Sequence, residues 1–195
     1  GLDYAVIEQE LQKADQVVST RPLPYNDWAL DFLADYIVNT HHSYTKKQLP
    51  EIRGYAAKVA RVHGDNHPEL LEIYQLVEEV SAEMSAHMVK EEQILFPYIK
   101  EIVASKNKTA ASQFEALGSV RGPISMMEME HEHTGNAMEQ IRKLSDNYTL
   151  PQDSCASYSL LFRMLEELEE DLHTHIHLEN NILFPKALQM EKELK

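Results

Sequence analysis

Residues 87–97 read His-Met-Val-Lys-Glu-Glu-Gln-Ile-Leu-Phe-Pro, and residues 175–185 read His-Ile-His-Leu-Glu-Asn-Asn-Ile-Leu-Phe-Pro. Each copy sets a His, a Glu four residues later, and the same Ile-Leu-Phe-Pro tail. Residues four apart share one face of an α-helix. Each copy therefore aims one imidazole and one carboxylate at a common point. Two such helices facing each other decide the fold, because the pairs then meet inside a helix bundle.

Outward from the two phrases, apolar residues recur at helical spacing and strand signals are almost absent. Around the first phrase the stripe runs Ile73, Val77, Val80, Met84, His87, Glu91, Ile94, Tyr98. Around the second it runs Leu161, Leu165, Leu168, Leu172, His175, Glu179, Ile182. Steps of four and three alternate throughout, as a bundle seam requires. Both His/Glu pairs thus replace core residues within an apolar seam.

Turn-forming residues divide the rest. Residues 1–24 read as a short helical lead-in followed by the extended connector Thr20-Arg21-Pro22-Leu23-Pro24. Asn26 or Asp27 is placed to cap a helix from Trp28 to about Val62. Gly64-Asp65-Asn66-His67-Pro68 ends it and opens a second helix that runs to about Ala104. A polar connector over 105–122 precedes a third helix from Pro123 to about Ser145. Asp153 or Ser154 is placed to cap a fourth that reaches about Met190. Residues 25–195 are expected to form one all-α domain, an antiparallel four-helix bundle. Pro50, Pro97 and Pro185 lie within helical patterns, where a kink is the ordinary expectation.

The chain of 195 residues suffices for one well-formed core. Its formal charge of −14 argues against nucleic acid and anionic membranes as partners. A single cysteine, Cys155, excludes an internal disulfide framework and a cysteine-built metal site. No apolar run approaches the ~20 residues of a membrane span, and Gly1–Glu10 lacks a signal-peptide pattern, so a cytoplasmic setting is expected.

Two more seams complete the site. In the first helix the stripe through His42 reads Val38, His42, Thr45, Leu49, Ile52, Ala56, Val59 and continues better than the one through His41. In the third helix Ile124, Met127, His131, Thr134, Met138, Ile141 favours His131 over His133. His173 and His177 flank His175 and point away. His63 is in phase with His42 but roughly 31 Å along the helix at ~1.5 Å per residue. The hairpin near residues 65–66 brings His42 level with residues near 89 and leaves His63 at the bundle end. The expected ligand set is His42, His87, Glu91, His131, His175 and Glu179. Buried ionisable groups without partners are costly, and no Lys or Arg lies on these stripes near Glu91 or Glu179. Four imidazoles and two carboxylates divide into two metals with two His each, bridged by both carboxylates. Nitrogen and oxygen donors without thiolate suit iron or manganese, with zinc also compatible. Glu92, Glu128, Glu130 and Glu132 fall on solvated faces or orient ligands. Met126, Met127 and Met129 are packing residues, and Glu166–Asp171 reads as a solvated face.

These stretches carry a resemblance. His42 with Gln48-Leu49-Pro50-Glu51, Arg61-Val62-His63-Gly64-Asp65, the two repeated phrases, and Pro123-Ile124 with Met127 and Glu130-His131 span about Leu2 to Leu188. In combination they resemble the hemerythrin-like di-iron domain of the repair-of-iron-centres family (the YtfE/ScdA-like group). The resemblance implies iron ligands at His42, His87, His131 and His175, with Glu91 and Glu179 as bridges beside an oxo or hydroxo bridge. It implies a bacterial cytoplasmic protein that repairs or protects iron–sulfur clusters after nitrosative or oxidative stress. Iron donation, nitric oxide chemistry and a redox activity at the non-haem centre are the implied routes. Damaged iron–sulfur proteins would be transient partners, O2 or NO small-molecule ligands, and a homodimer the implied assembly. Family members carry a small N-terminal domain with a Cys-Cys motif, and this chain begins at what reads as the linker after it. The competing reading is a hemerythrin-type oxygen or nitric oxide binding or sensing module, although hemerythrins proper use five histidines. Ferritin-like oxidases use Glu-x-x-His and more carboxylates, unlike the His-x-x-x-Glu order here.

Overall fold

A computed structural model describes residues 23–107 and 118–194. The expected helical lead-in over residues 1–20 lies outside them, as does most of the connector between the second and third helices. The described residues form four helical rods and no β-strand. The first rod comprises α1 (Leu30–Ile37), a π-helical segment (Val38–His42) and α2 (Ser43–His63). The second comprises α3 (Glu69–Lys90), a π segment (Glu91–Leu95) and α4 (Phe96–Asn107). The third is α5 (Arg121–Leu144). The fourth comprises α6 (Ala156–Leu178), a π segment (Glu179–Leu183) and α7 (Phe184–Leu194).

The rods begin and end close to the expected places, with different caps. A 3₁₀ turn at Tyr25–Asp27 precedes α1, whose N-cap is Ala29, and the N-cap of α6 is Cys155. Neither makes a side-chain capping bond, so helix propensity and packing, not caps, set these starts. At the first hairpin a Cβ on Gly64 would lie 2.3 Å from the Ala60 carbonyl oxygen; only glycine fits that turn.

The first rod packs against the second and the fourth, and the second packs against the third. The apolar interior falls into two clusters. One joins Leu49, Ile52, Val59, Ile73, Val80, Met84, Ile141, Leu161 and Leu165. The other joins Leu33, Ile37, Leu95, Phe96, Ile99, Ile124, Leu178 and Phe184. The polar layer holding the candidate site separates them along every rod.

The π segments explain the prolines. A proline ring clashes with the carbonyl four residues back. Each of the last two π segments instead ends with an N–H reaching five residues back, Phe96 to Glu91 O and Phe184 to Glu179 O. Pro97 and Pro185 follow at the second position of α4 and α7, where a restarted helix tolerates them. Pro50 lies inside α2, which runs on unbroken. The inserted residue also shifts the seam. Beyond Glu91 the buried residue is Leu95, while Ile94, expected inside, is 58% exposed. In the fourth rod Ile182 and Leu183 are both buried.

The run at 166–171 also departs from expectation, because Glu169 is buried. Its carboxylate accepts from Arg142 Nε at 3.0 Å and from Tyr148 Oη at 2.6 Å. Asp146, Asn147 and Tyr148 all have positive φ (48°, 55° and 58°), a strained path for a bulky residue. The Tyr148–Glu169 bond and Arg142 over the Tyr148 ring hold that turn in place.

The shifted seam is testable by chemical denaturation. Ile94→Ala is expected to change stability by less than about 0.5 kcal/mol, whereas Leu95→Ala costs about 2–5 kcal/mol. The reverse ranking would contradict the π register.

Candidate metal centre

Each rod delivers one imidazole to the polar layer. His42 closes the first π segment, His87 lies in the last turn of α3, His131 lies within α5, and His175 lies in the last turn of α6. Glu91 and Glu179 open the second and third π segments. All six are buried, with Glu91, Glu179, His42 and His175 at 0% exposure. They form two overlapping groups, His42, Glu91, His175, Glu179 and His87, Glu91, His131, Glu179. Within each group one ligand-type atom per residue lies within 4.8 Å of all the others.

The inner atoms crowd together, with His175 Nε2 3.1 Å from Glu179 Oε1. His42 Nε2 is 3.2 Å from Glu91 Oε2, yet both are buried and, among the described residues, without a hydrogen bond of acceptable geometry. Glu91 Oε1 and Glu179 Oε2 are likewise unbonded. His87 Nε2 lies 3.2 Å from Glu91 Oε2, and His131 Nε2 lies 3.1 Å from Glu179 Oε2. His131 Nε2 and His87 Nε2 face each other at 3.1 Å. Converging nitrogen lone pairs and orphaned carboxylate oxygens in a buried layer are costly by themselves. They fit divalent cations bound by imidazole and carboxylate.

The opposite ring nitrogens are held from outside. His42 Nδ1 donates to Glu92 at 2.7 Å, His87 Nδ1 to Glu130 at 2.9 Å, and His131 Nδ1 to Asn180 Oδ1 at 2.9 Å. These bonds place the proton on Nδ1 and turn Nε2 inward, as oriented metal ligands require. Glu92 also accepts from Lys46 at 2.6 Å, and Glu130 from Lys90. Phe96 stacks on His42 and Phe184 on His131, with centroids 5.7 and 6.0 Å apart. The Phe of each repeated tail thus stacks on one imidazole of the layer.

Burial by itself disfavours the His87 imidazolium, but Glu91, Glu179 and Glu130 outweigh it and raise its pKa to about 9. His175 is raised in the same way by Glu179 against the effect of burial. Burial would lift the Glu179 carboxyl, yet His175 and His131 hold it well below the usual range. The layer is thus arranged for carboxylate charge balanced by positive charge.

The structure brings together all six residues expected from the sequence. It departs from expectation at His41: of two adjacent histidines only one is expected to face inward, yet His41 is buried as well as His42. His41 Nδ1 donates to Asp171 at 2.9 Å, and its ring stacks on His175. The first rod is flanked on two sides, so adjacent histidines can both be covered. Asn180 is the ligand partner the sequence reading passed over, although the repeat aligns it with Glu92. Glu128, Glu132, His133, His173 and His177 are exposed. His63 sits at the bundle end, its Nε2 3.2 Å from Cys155 Sγ.

That contact gives Cys155 an unusual thiol. The hydrogen bond from His63, aided by the Tyr158 backbone, lowers its pKa to about 7, against ~8.5 for an ordinary cysteine. Alkylation by iodoacetamide should therefore follow a midpoint near that value, and His63→Ala should move it upward. A midpoint unchanged by the substitution would contradict this account.

Comparison with known proteins agrees with the geometry. The family model described as Hemerythrin HHE cation binding domain matches residues 33–187. The chain is 38% identical over 194 residues to the protein named Iron-sulfur cluster repair protein YtfE of Enterobacter sp. (strain 638), covering 97% of this chain and 80% of the relative. Proteins of the same name from Escherichia coli (strain K12 / DH10B) and Shigella boydii serotype 18 are 38% identical over 193 residues, with the same coverage. The chain belongs to the hemerythrin HHE cation-binding domain family, in the group of proteins named iron-sulfur cluster repair protein YtfE.

Proposed function

We propose that this protein is a di-iron protein that repairs or protects iron–sulfur clusters damaged by nitrosative or oxidative stress. His42 and His175 would hold one iron and His87 and His131 the other. Glu91 and Glu179, common to both groups, would be shared between the two irons. The observation that carries the reading is the pair of buried His/Glu groups that share the same two carboxylates. Iron held by these residues would supply one-electron redox chemistry toward a diatomic ligand such as O2 or NO.

The chain's own residues do the rest. Glu92, Glu130 and Asn180 fix the imidazoles, and Leu95, Phe96, Leu183 and Phe184 exclude bulk water from one side. No helix among the described residues is long and apolar enough to cross a membrane, which suits a cytoplasmic setting with damaged iron–sulfur proteins as transient partners. The names of the relatives favour repair over reversible oxygen carriage.

Protein purified without air should contain two antiferromagnetically coupled irons per chain by metal analysis and Mössbauer spectroscopy. It should restore activity to a damaged [4Fe–4S] enzyme, and His175→Ala should not. Equal performance of the two proteins would sink the repair reading.

A pH dependence follows from the raised histidine pKa values. Each stabilises the metal-free protein fully below the ordinary value of ~6.5, and that contribution is lost as pH rises through about 9 for His87. The thermal midpoint of the metal-free protein should fall across this window. The iron-loaded protein should not show the fall, because metal binding has already displaced those protons.

A further inference from the structure

The two halves of the centre are related by an approximate two-fold repetition of roles. His42 and His131 correspond, each under a phenylalanine and each anchored by the residue after a bridging glutamate, Glu92 or Asn180. His87 and His175 correspond as the histidines four residues before Glu91 and Glu179. The residues that precede the other pair, Glu130 before His131 and His41 before His42, then occupy matching positions.

At this point the correspondence breaks. Glu130 accepts from His87 Nδ1 at 2.9 Å. His41 accepts nothing from His175. Its ring lies nearly parallel to that of His175, 11° between planes and 5.6 Å between centroids, with its own Nδ1 committed to Asp171. His175 Nδ1 and His41 Nε2 are both buried and, among the described residues, without a hydrogen-bond partner. Three of the four imidazoles are thus anchored, and His175 is not.

Outer hydrogen bonds fix ligand orientation and raise ligand basicity, and losing one weakens metal binding about 10- to 100-fold. Resting on the di-iron reading above, we infer that the two metals are unequal: the one held by His42 and His175 exchanges first, and the one held by His87 and His131 is retained. His41 is a positioning residue for that inequality. It occupies the place of an anchor and supplies stacking instead of a hydrogen bond. A centre built this way releases one iron while keeping a folded, half-loaded layer.

The test follows iron release from fully loaded protein into excess ferrous chelator without air, after metal analysis has fixed the starting content. Two phases of one iron each are expected. His41→Glu, which restores a carboxylate at the matching position, should slow the fast phase about tenfold. Glu130→Ala and Asn180→Ala should accelerate the slow phase by a similar factor and leave the fast phase unchanged. Both alanine variants alter partly exposed partners rather than ligands, so they keep the test open if His41→Glu misfolds. Acceleration of the fast phase by either alanine variant, or a single phase in the unmodified protein, overturns the inference. Fewer than two irons per chain at the start would instead overturn the di-iron reading on which it rests.

Discussion

Two carboxylates, Glu91 and Glu179, lie fully buried in a layer that divides two apolar clusters. Isolated charges in such a place would be strongly destabilising. Most other features of the layer answer that constraint. Four imidazoles surround the carboxylates, a second ring of Glu92, Glu130 and Asn180 steers three of them, and Lys46 and Lys90 balance the outer carboxylates where they approach water. Charge alternates from the centre to the surface, while Glu91 Oε1 and Glu179 Oε2 at the centre stay without a hydrogen-bond partner among the described residues.

The helical rods bend to the same demand. A regular α-helix offers one face to the core, and a seam of steps three and four cannot change phase without an insertion. The π segments supply that insertion beside three of the six candidate ligands, His42, Glu91 and Glu179. Such bulges recur at functional sites. Here they also lift the steric conflict that Pro97 and Pro185 would otherwise create. The Pro that ends each repeated tail and the Glu that opens each π segment are thus two ends of one backbone device.

Most of the site was legible because helical spacing is local. His-x-x-x-Glu repeated in two apolar stripes needs only the helix period to become a pair of ligands. His42 and His131 followed from phase with their own seams, and the place of His63 from helix length. The parts that were not legible depend on contacts between rods. His41 and Asp171 lie 130 residues apart, and nothing in either stretch announces their pairing. Glu169 reads as solvated beside its charged neighbours until Arg142 and Tyr148 arrive from another element. The exposure of Ile94 required knowing that the backbone inserts a residue at Glu91, which the apolar pattern does not encode.

His42, His87, His131 and His175 recur almost evenly, about 44 residues apart. Ions shared by all four rods would therefore act as a cross-link closing three large loops of similar length. Cross-links gain with loop length by restricting the unfolded chain. The inorganic centre would then double as a staple for the tertiary structure, with the four rods reporting its occupancy through their own cohesion.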